Sequence, residues 1–303
     1  MGRAFKVKRE GIFKNPFTFD VKNLTKKNRR EDSMYEIKLK DLDLNQIMNS
    51  GQCFRMKMSA EGVCSVTAAD KYVEIEQNGD HFTFSCSREE FETVWYPYLD
   101  LQTDYGTIKA GVDKKDEYLL RAVEYGWGIR ILRQDLWEMI ITFLISQNNN
   151  VSRIRNSVEI LCSQLGERRS LAGGAVYYAF PQPEAVLEAG MERLGSMGLG
   201  YRDKYIMKMA ECVAKGDLNL DALRSAGYEE AHQMLTAQYG LGKKVADCVC
   251  LFGLHHVDAF PVDTHIKKIL DRFYPDGFPY ENYRGVLGII QQYMFYYDLE
   301  GKM

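Results

Sequence analysis

The 303-residue sequence predicts an α+β fold, in which an N-terminal antiparallel β-sheet subdomain packs on a mainly α-helical domain. Three observations predict it. Between residues 34 and 86, short runs alternate apolar and polar side chains, as half-buried strands do. From residue 116 onward the apolar spacing is three and four, as in helices. Between about 228 and 254, two helical patterns are interrupted only by Tyr239-Gly240-Leu241-Gly242, which reads as a helix-hairpin-helix.

Composition narrows the class. Hydrophobic content of 46% and 27% charged residues describe an ordinary soluble chain. No apolar run reaches membrane-spanning length and no secretory pattern opens the sequence. Seven irregularly spaced cysteines argue against a disulfide framework and for a reducing compartment. The expected location is therefore intracellular: cytoplasm or nucleoid in a bacterium, nucleus in a eukaryote. A net charge of −3 disfavours a non-specific nucleic-acid coat protein, but a local basic face is enough for a DNA enzyme.

In chain order, residues 1–33 are rich in Lys and Arg with little periodicity. They read as a flexible basic extension, or more sharply as an arm that adds DNA affinity. Residues 34–115 form the sheet subdomain. Within it, 35–39 alternate, 42–48 read as a short helix, and 51–58, 63–68, 72–77 and 81–86 read as strands. Asn78-Gly79 is a two-residue hairpin signal. Ser87 with Glu90 is a capping box that opens a helix. Residues 116–303 read as helical almost throughout. The most apolar run, 136–145, is the expected core of that domain and ends at Ser146-Gln147-Asn148-Asn149-Asn150. Gly198-Leu199-Gly200-Tyr201-Arg202 is another loop leading into a helix.

The hairpin carries the chemistry. Gly240 and Gly242 permit positive φ and leave backbone N–H groups bare at the start of the second helix. The helix dipole favours an anion there, and a nucleic-acid phosphate fits. Lys244 sits in that first turn, where the dipole and neighbouring Lys243 disfavour its charged form. An unperturbed Lys amine titrates at about 10.4, so a nucleophilic Lys needs such help. Asp263, after Pro261, reads as the N-cap of a helix over 264–273. A neutralisable Lys and a placed carboxylate suggest a Schiff-base enzyme acting on a sugar.

Gly240-Leu-Gly-Lys-Lys-Val-Ala-Asp-Cys248, followed by Pro261-Val-Asp-Thr-His265, resembles the helix-hairpin-helix, Gly/Pro-rich loop, Asp superfamily of DNA glycosylases. Within it, the chain is most similar to the 8-oxoguanine DNA glycosylase/AP lyases. The resemblance implies that Lys244 is the nucleophile and Asp263 its catalytic carboxylate. Gly51, in Gly51-Gln52-Cys53-Phe54-Arg55, would detect the lesion. Oxidised guanine carries a hydrogen on N7, and one backbone carbonyl suffices to accept it; the plain alternative is a glycine that merely starts a strand. Asn148 and Arg153 would read the orphaned partner base, although adjacent asparagines also serve as ordinary turn and capping residues. Tyr201 would wedge between base steps, or else act as a helix-entry hydrophobic contact, and Arg202 would address the orphan cytosine. Cys248 would form one wall of the base pocket and Phe295 the other, with Gln291 against the Watson–Crick edge. The register Gln292 and Tyr296 stays open, because both pairs are present. Gly240, Gly242 and His265 would contact the DNA backbone.

No cysteine follows Cys250, so the iron–sulfur cluster of endonuclease III-type relatives is not expected. No Cys/His set has zinc spacing. Neither a catalytic metal nor a cofactor is expected. The expected partner is double-stranded DNA containing oxidised guanine, opposite cytosine, bound by a monomer. Three alternatives remain. A glycosylase for another oxidised base is disfavoured by the missing cluster cysteines and by the 51–55 motif. A monofunctional alkylation glycosylase would lack Lys244. A non-enzymatic helix-hairpin-helix module would need Gly240 and Gly242, but not Lys244, Asp263 or an aromatic pocket.

Overall fold

Alternation over residues 35–84 produces five antiparallel strands: β1 (Tyr35–Lys38), β2 (Met56–Met58), β3 (Val63–Ala68), β4 (Lys71–Asn78) and β5 (His81–Phe84). Their order across the sheet is β1-β5-β4-β3-β2. The computed structural model describes residues 34–171 and 174–301; the expectations for residues 1–33 lie outside them. The inward face of the sheet, with Val66, Val73, Ile75, Phe82 and Phe84, closes on Leu42, Phe91 and Trp95 to make one core.

Two turns differ from the sequence reading. Asn78 pairs with His81, so the hairpin loop is Gly79-Asp80 rather than Asn78-Gly79. Gly79 takes φ +61° at the first loop position, where a type II′ turn wants glycine. The β3–β4 turn puts Ala69 at φ +49°, a conformation that side chains disfavour. Contacts from outside the sheet hold it there. The Ala69 N–H donates to Glu138 Oε2 at 3.1 Å, and its carbonyl accepts from Arg55 Nη1 at 3.2 Å and from the Phe180 N–H at 2.9 Å. Arg55 and Glu138 form a buried ion pair at 3.4 Å, so the same two side chains fasten the sheet to the helical domain.

The expected strand over 51–58 is regular only from Met56. Gly51 has φ +76°, and Gln52 is fully buried with its amide bonded to Ser50 Oγ and the Arg130 carbonyl. The segment 51–55 is therefore pulled out of the sheet and into the interface with the helical domain. Phe54 joins the helical core, while Leu132 joins that of the sheet. Tyr105 and Val112 also pack in the helical core, so the chain crosses between the two cores on both sides of residue 115.

In the helical half, Leu136–Ser146 is buried at every residue from Leu136 to Ile145. The packing partner is the Lys243–Phe252 helix, whose Phe252 ring stacks on Phe143 at 5.4 Å. Asn150 caps the Val151–Leu165 helix by accepting from the Arg153 N–H at 2.9 Å. The helical reading missed a two-stranded hairpin, Arg168–Ser170 with Val176–Tyr178. Strands of three residues are too short to show a period.

Candidate active site

The helices Tyr228–Thr236 and Lys243–Phe252 form the hairpin. Tyr228 donates to Asp247 Oδ1 at 2.7 Å, and His232 lies 3.3 Å from the same oxygen, so the two helices are pinned side by side. The two turn glycines differ. Gly240 has φ +88°, and a Cβ there would meet Tyr205 Cγ at 2.8 Å. Gly242 is the N-cap of the second helix at φ −80°, and a Cβ would meet nothing within 4 Å. The positive-φ argument therefore holds for Gly240 and not for Gly242. No side chain caps this helix start, and an uncapped helix start of this kind favours an anion.

Lys244 follows in the first turn, half-buried, with Nζ 5.9 Å from the centre of the Phe143 ring. Cys248 lies one turn on and is buried. Burial pushes its thiol up to about 11, against the pull of the neighbouring Lys244, so it is a neutral wall at ordinary pH. Asp263 caps the Thr264–Phe273 helix, and its Oδ1 accepts from the His265 N–H at 3.0 Å and the Ile266 N–H at 2.9 Å. Spending one oxygen on the cap fixes the carboxylate at the mouth of the cleft that Lys244 also lines.

That cleft has a volume of about 650 Å³ and runs between the 146–151 loop and the start of the Lys243–Phe252 helix. A narrower recess of about 50 Å³ shares Gly51, Phe143, Lys244, Asp263 and Phe295 with it, and adds Cys248, Gln291 and Gln292. Gly51, Cys248, Gln291 and Phe295, from three separate stretches of sequence, thus line one recess. The Phe295 ring lies against Gly51, so closely that a Cβ on Gly51 would sit 2.9 Å from Phe295 Cε1. Gln291 Nε2 donates to the Pro261 carbonyl at 3.1 Å, and Gln291 Oε1 is buried without a partner. Because the amide nitrogen must face that carbonyl, the oxygen is the atom left to accept from a ligand. Of the alternative register, Gln292 lines the recess, whereas Tyr296 stacks on Tyr125 at 5.5 Å outside it.

A second group gathers at the rim. Tyr201, 46% exposed, precedes the Arg202–Lys215 helix. Asn148, at φ +48°, donates to the Tyr201 hydroxyl at 3.1 Å. Arg202 donates to the Gln147 carbonyl at 2.9 Å through Nε and to the Asn148 carbonyl at 3.0 Å through Nη2. Gln147 in turn donates to the Gly240 carbonyl at 3.1 Å, joining this rim to the hairpin. Arg153 stands exposed on the first turn of its helix and is not drawn into these bonds.

Three residues near the site escaped the sequence reading. Asp298 is hydrogen-bonded to His265 Nδ1; its signal was its place three residues after Phe295, on the same face of the Leu287–Leu299 helix. Phe143, under Lys244, looked like plain core. Tyr205 buttresses Gly240 and meets both Tyr201 and Tyr239 edge-on, at 5.6 and 5.2 Å.

Comparison with known proteins matches residues 34–140 to the family described as 8-oxoguanine DNA glycosylase, N-terminal domain. Residues 141–277 match the HhH-GPD superfamily base excision DNA repair protein. The chain is 39% identical over 158 residues to the N-glycosylase/DNA lyase of Saccharomyces cerevisiae, covering 48% of this chain. It is 31% identical over 243 residues, or 77% of the chain, to the N-glycosylase/DNA lyase OGG1 of Arabidopsis thaliana. The chain spans 42% and 66% of the length of these two relatives. Among solved structures, it resembles the Clostridium acetobutylicum 8-oxoguanine glycosylase/lyase in complex with double-stranded DNA containing cytosine opposite 8-oxoguanine. That likeness has a TM-score of 0.82 and 33% identity, and covers 90% of this chain and 99% of the other.

Proposed function

Because the chain belongs to the 8-oxoguanine branch of the HhH-GPD base excision DNA repair superfamily, we propose that it removes 8-oxoguanine from duplex DNA, opposite cytosine, and then cleaves the strand. The observation that carries this reading is the single recess that brings Lys244 and Asp263 together with Gly51, Cys248, Gln291 and Phe295. The recess offers a nucleophile and a carboxylate for the sugar, and an apolar slot with the unpartnered Gln291 amide oxygen for a base.

In this scheme the hairpin N–H groups, Gly240, Gly242 and His265 hold backbone phosphates. Tyr201 wedges into the stack as the damaged nucleotide is flipped out. Asn148, Arg153 and Arg202 address the orphaned cytosine. The base slides between Cys248 and Phe295, which requires the Phe295 ring to move off Gly51. Neutral Lys244 attacks C1′ of the deoxyribose while the Asp263 carboxylate stabilises positive charge developing on the sugar. The C1′–N9 bond breaks and the base leaves with a proton. The sugar ring opens to a Schiff base on Lys244, loss of a C2′ proton expels the 3′ phosphate, and water then releases the enzyme. Every covalent intermediate in the scheme joins Lys244 to the deoxyribose.

The test is borohydride trapping on a duplex carrying one 8-oxoguanine opposite cytosine. A covalent protein–DNA band that maps to Lys244, and vanishes in Lys244→Gln, is expected. Damage-specific binding without a band would point to a monofunctional enzyme or a reader, and the absence of both binding and band would overturn the lesion assignment.

A further inference from the structure

Ser50 and Gly51 line the base recess, and the carbonyls of the residues on either side of Gly51 are tied by side-chain amides. The Ser50 carbonyl accepts from Gln292 Nε2, and the Gln52 carbonyl accepts from Gln134 Nε2 at 2.9 Å. Among the described residues, the Gly51 carbonyl between them accepts no hydrogen bond. Ser50 is fixed further, since its hydroxyl donates to the Ile47 carbonyl at 2.8 Å and accepts from Gln52 Nε2 at 2.9 Å. Ser50, Gln52 and Gln292 are all buried, at 0%, 0% and 2% exposure. Of these tethers, only Gln292 comes from the helix that also carries Gln291 and Phe295.

We propose, on the reading given above, that Gln292 is a positioning residue for lesion discrimination: by holding the Ser50 carbonyl, it aims the free Gly51 carbonyl at the base. Glycine has the least restricted backbone of any residue, so an untethered Gly51 peptide would swing. At φ +76° its orientation is set by the planes on either side. The direction of that carbonyl matters twice over. N7 of 8-oxoguanine is a donor and attracts it, whereas N7 of guanine is an acceptor and repels it. Gln292 also registers the loop against the Leu287–Leu299 helix, so the groups facing the base edge and the base face share one frame. Gln291 cannot take this part, because its own amide is spent on Pro261.

The experiment uses the full chain with Gln292→Met, which keeps length and loses the donor, and Gln292→Leu, which loses the donor in a branched apolar side chain. Loss of one buried hydrogen bond to the carbonyl corresponds to roughly a 5- to 50-fold effect. Single-turnover excision of 8-oxoguanine should fall by that factor in both variants. The preference for binding 8-oxoguanine duplex over the guanine duplex should fall with it. Cleavage of a duplex carrying a preformed abasic site should stay within about twofold of wild type, because no base remains to be read. Parallel loss of abasic cleavage would overturn the positioning role and make Gln292 a plain structural residue; unchanged excision and preference would overturn it too. A wild-type protein that cleaves abasic DNA yet never removes 8-oxoguanine would instead defeat the underlying lesion assignment.

Discussion

Two glycines, two residues apart in one Gly-x-Gly turn, should respond oppositely to the same added methyl. At Gly240 the backbone has φ +88°, and the new Cβ would lie 2.8 Å from Tyr205 Cγ and 2.9 Å from Cδ1. A left-handed conformation costs an L-residue about 1–2 kcal/mol, and forcing an aromatic ring aside adds about 1–3 kcal/mol. Stiffening the unfolded chain returns about 0.4–1 kcal/mol. Gly240→Ala should therefore lose roughly 2–4 kcal/mol, which lowers Tm by roughly 4–12 °C for a chain of this size. At Gly242 the backbone has φ −80° and the Cβ has open space. There the weaker N-cap preference of Ala and the stiffer unfolded chain nearly cancel, leaving a change within about 0.5 kcal/mol. Urea unfolding of both variants measures the contrast. Because Tyr205 also meets Tyr201 edge-on, Gly240→Ala should, on the proposed wedge role of Tyr201, further weaken DNA binding beyond its cost in stability. Equal stability losses at the two positions would refute the conformational argument.

Three further outcomes follow from the structure. Arg55→Met leaves Glu138 buried without its cation, and chemical denaturation should report a loss of about 3–5 kcal/mol; a loss below about 1 kcal/mol would show that the pair does not staple the sheet to the helices. Burial raises the thiols of Cys64, Cys86, Cys162 and Cys250 to about 12 and that of Cys248 to about 11. Mass spectrometry after iodoacetamide at pH 8 should therefore find half-buried Cys212 modified first, and rapid labelling of Cys248 would contradict this. Burial alone would raise the Asp100 carboxyl, but His255, Thr103 and Arg133 outweigh it and leave it below its ordinary value. Its stabilising contribution is complete above the unfolded value of about 3.9 and is lost as pH falls through the lower folded value. Asp100→Asn should thus shrink the stability difference between pH 6 and pH 2.5, measured by urea unfolding, and an undiminished difference would place the acid sensitivity elsewhere.

Much of the fold was legible because local rules decided it. Asp263 was readable as an N-cap because Asp accepts from the N–H groups two and three residues on, and it does. The Ser87 N-cap was readable for the same reason, with the Glu90 N–H on Ser87 Oγ at 3.1 Å, but the box stays half-formed because the Glu90 carboxylate accepts from Trp95 Nε1 at 3.2 Å. β3 was readable from alternation over six residues. Where local and tertiary demands diverged, the sequence misled. The segment 51–55 reads as the start of a strand, yet buried amide bonds from Gln52 draw it into the interface. Asn78-Gly79 is the favoured hairpin pair, yet the register against β5 moves the turn one residue on.

The sequence by itself determined the helix-hairpin-helix, the helix start beneath Lys244 and the capping role of Asp263, because each depends on neighbours within a few residues. Only the tertiary structure decided that Gln291 ties its amide nitrogen to Pro261 and leaves its oxygen buried without a partner, and that Phe295 rather than Tyr296 lines the recess. It also decided that Asp298 reaches His265 and that Gln292 holds Ser50, 242 residues away in sequence. Helical periodicity tells which residues share a face. It does not tell what that face meets, because that depends on how distant helices pack against one another.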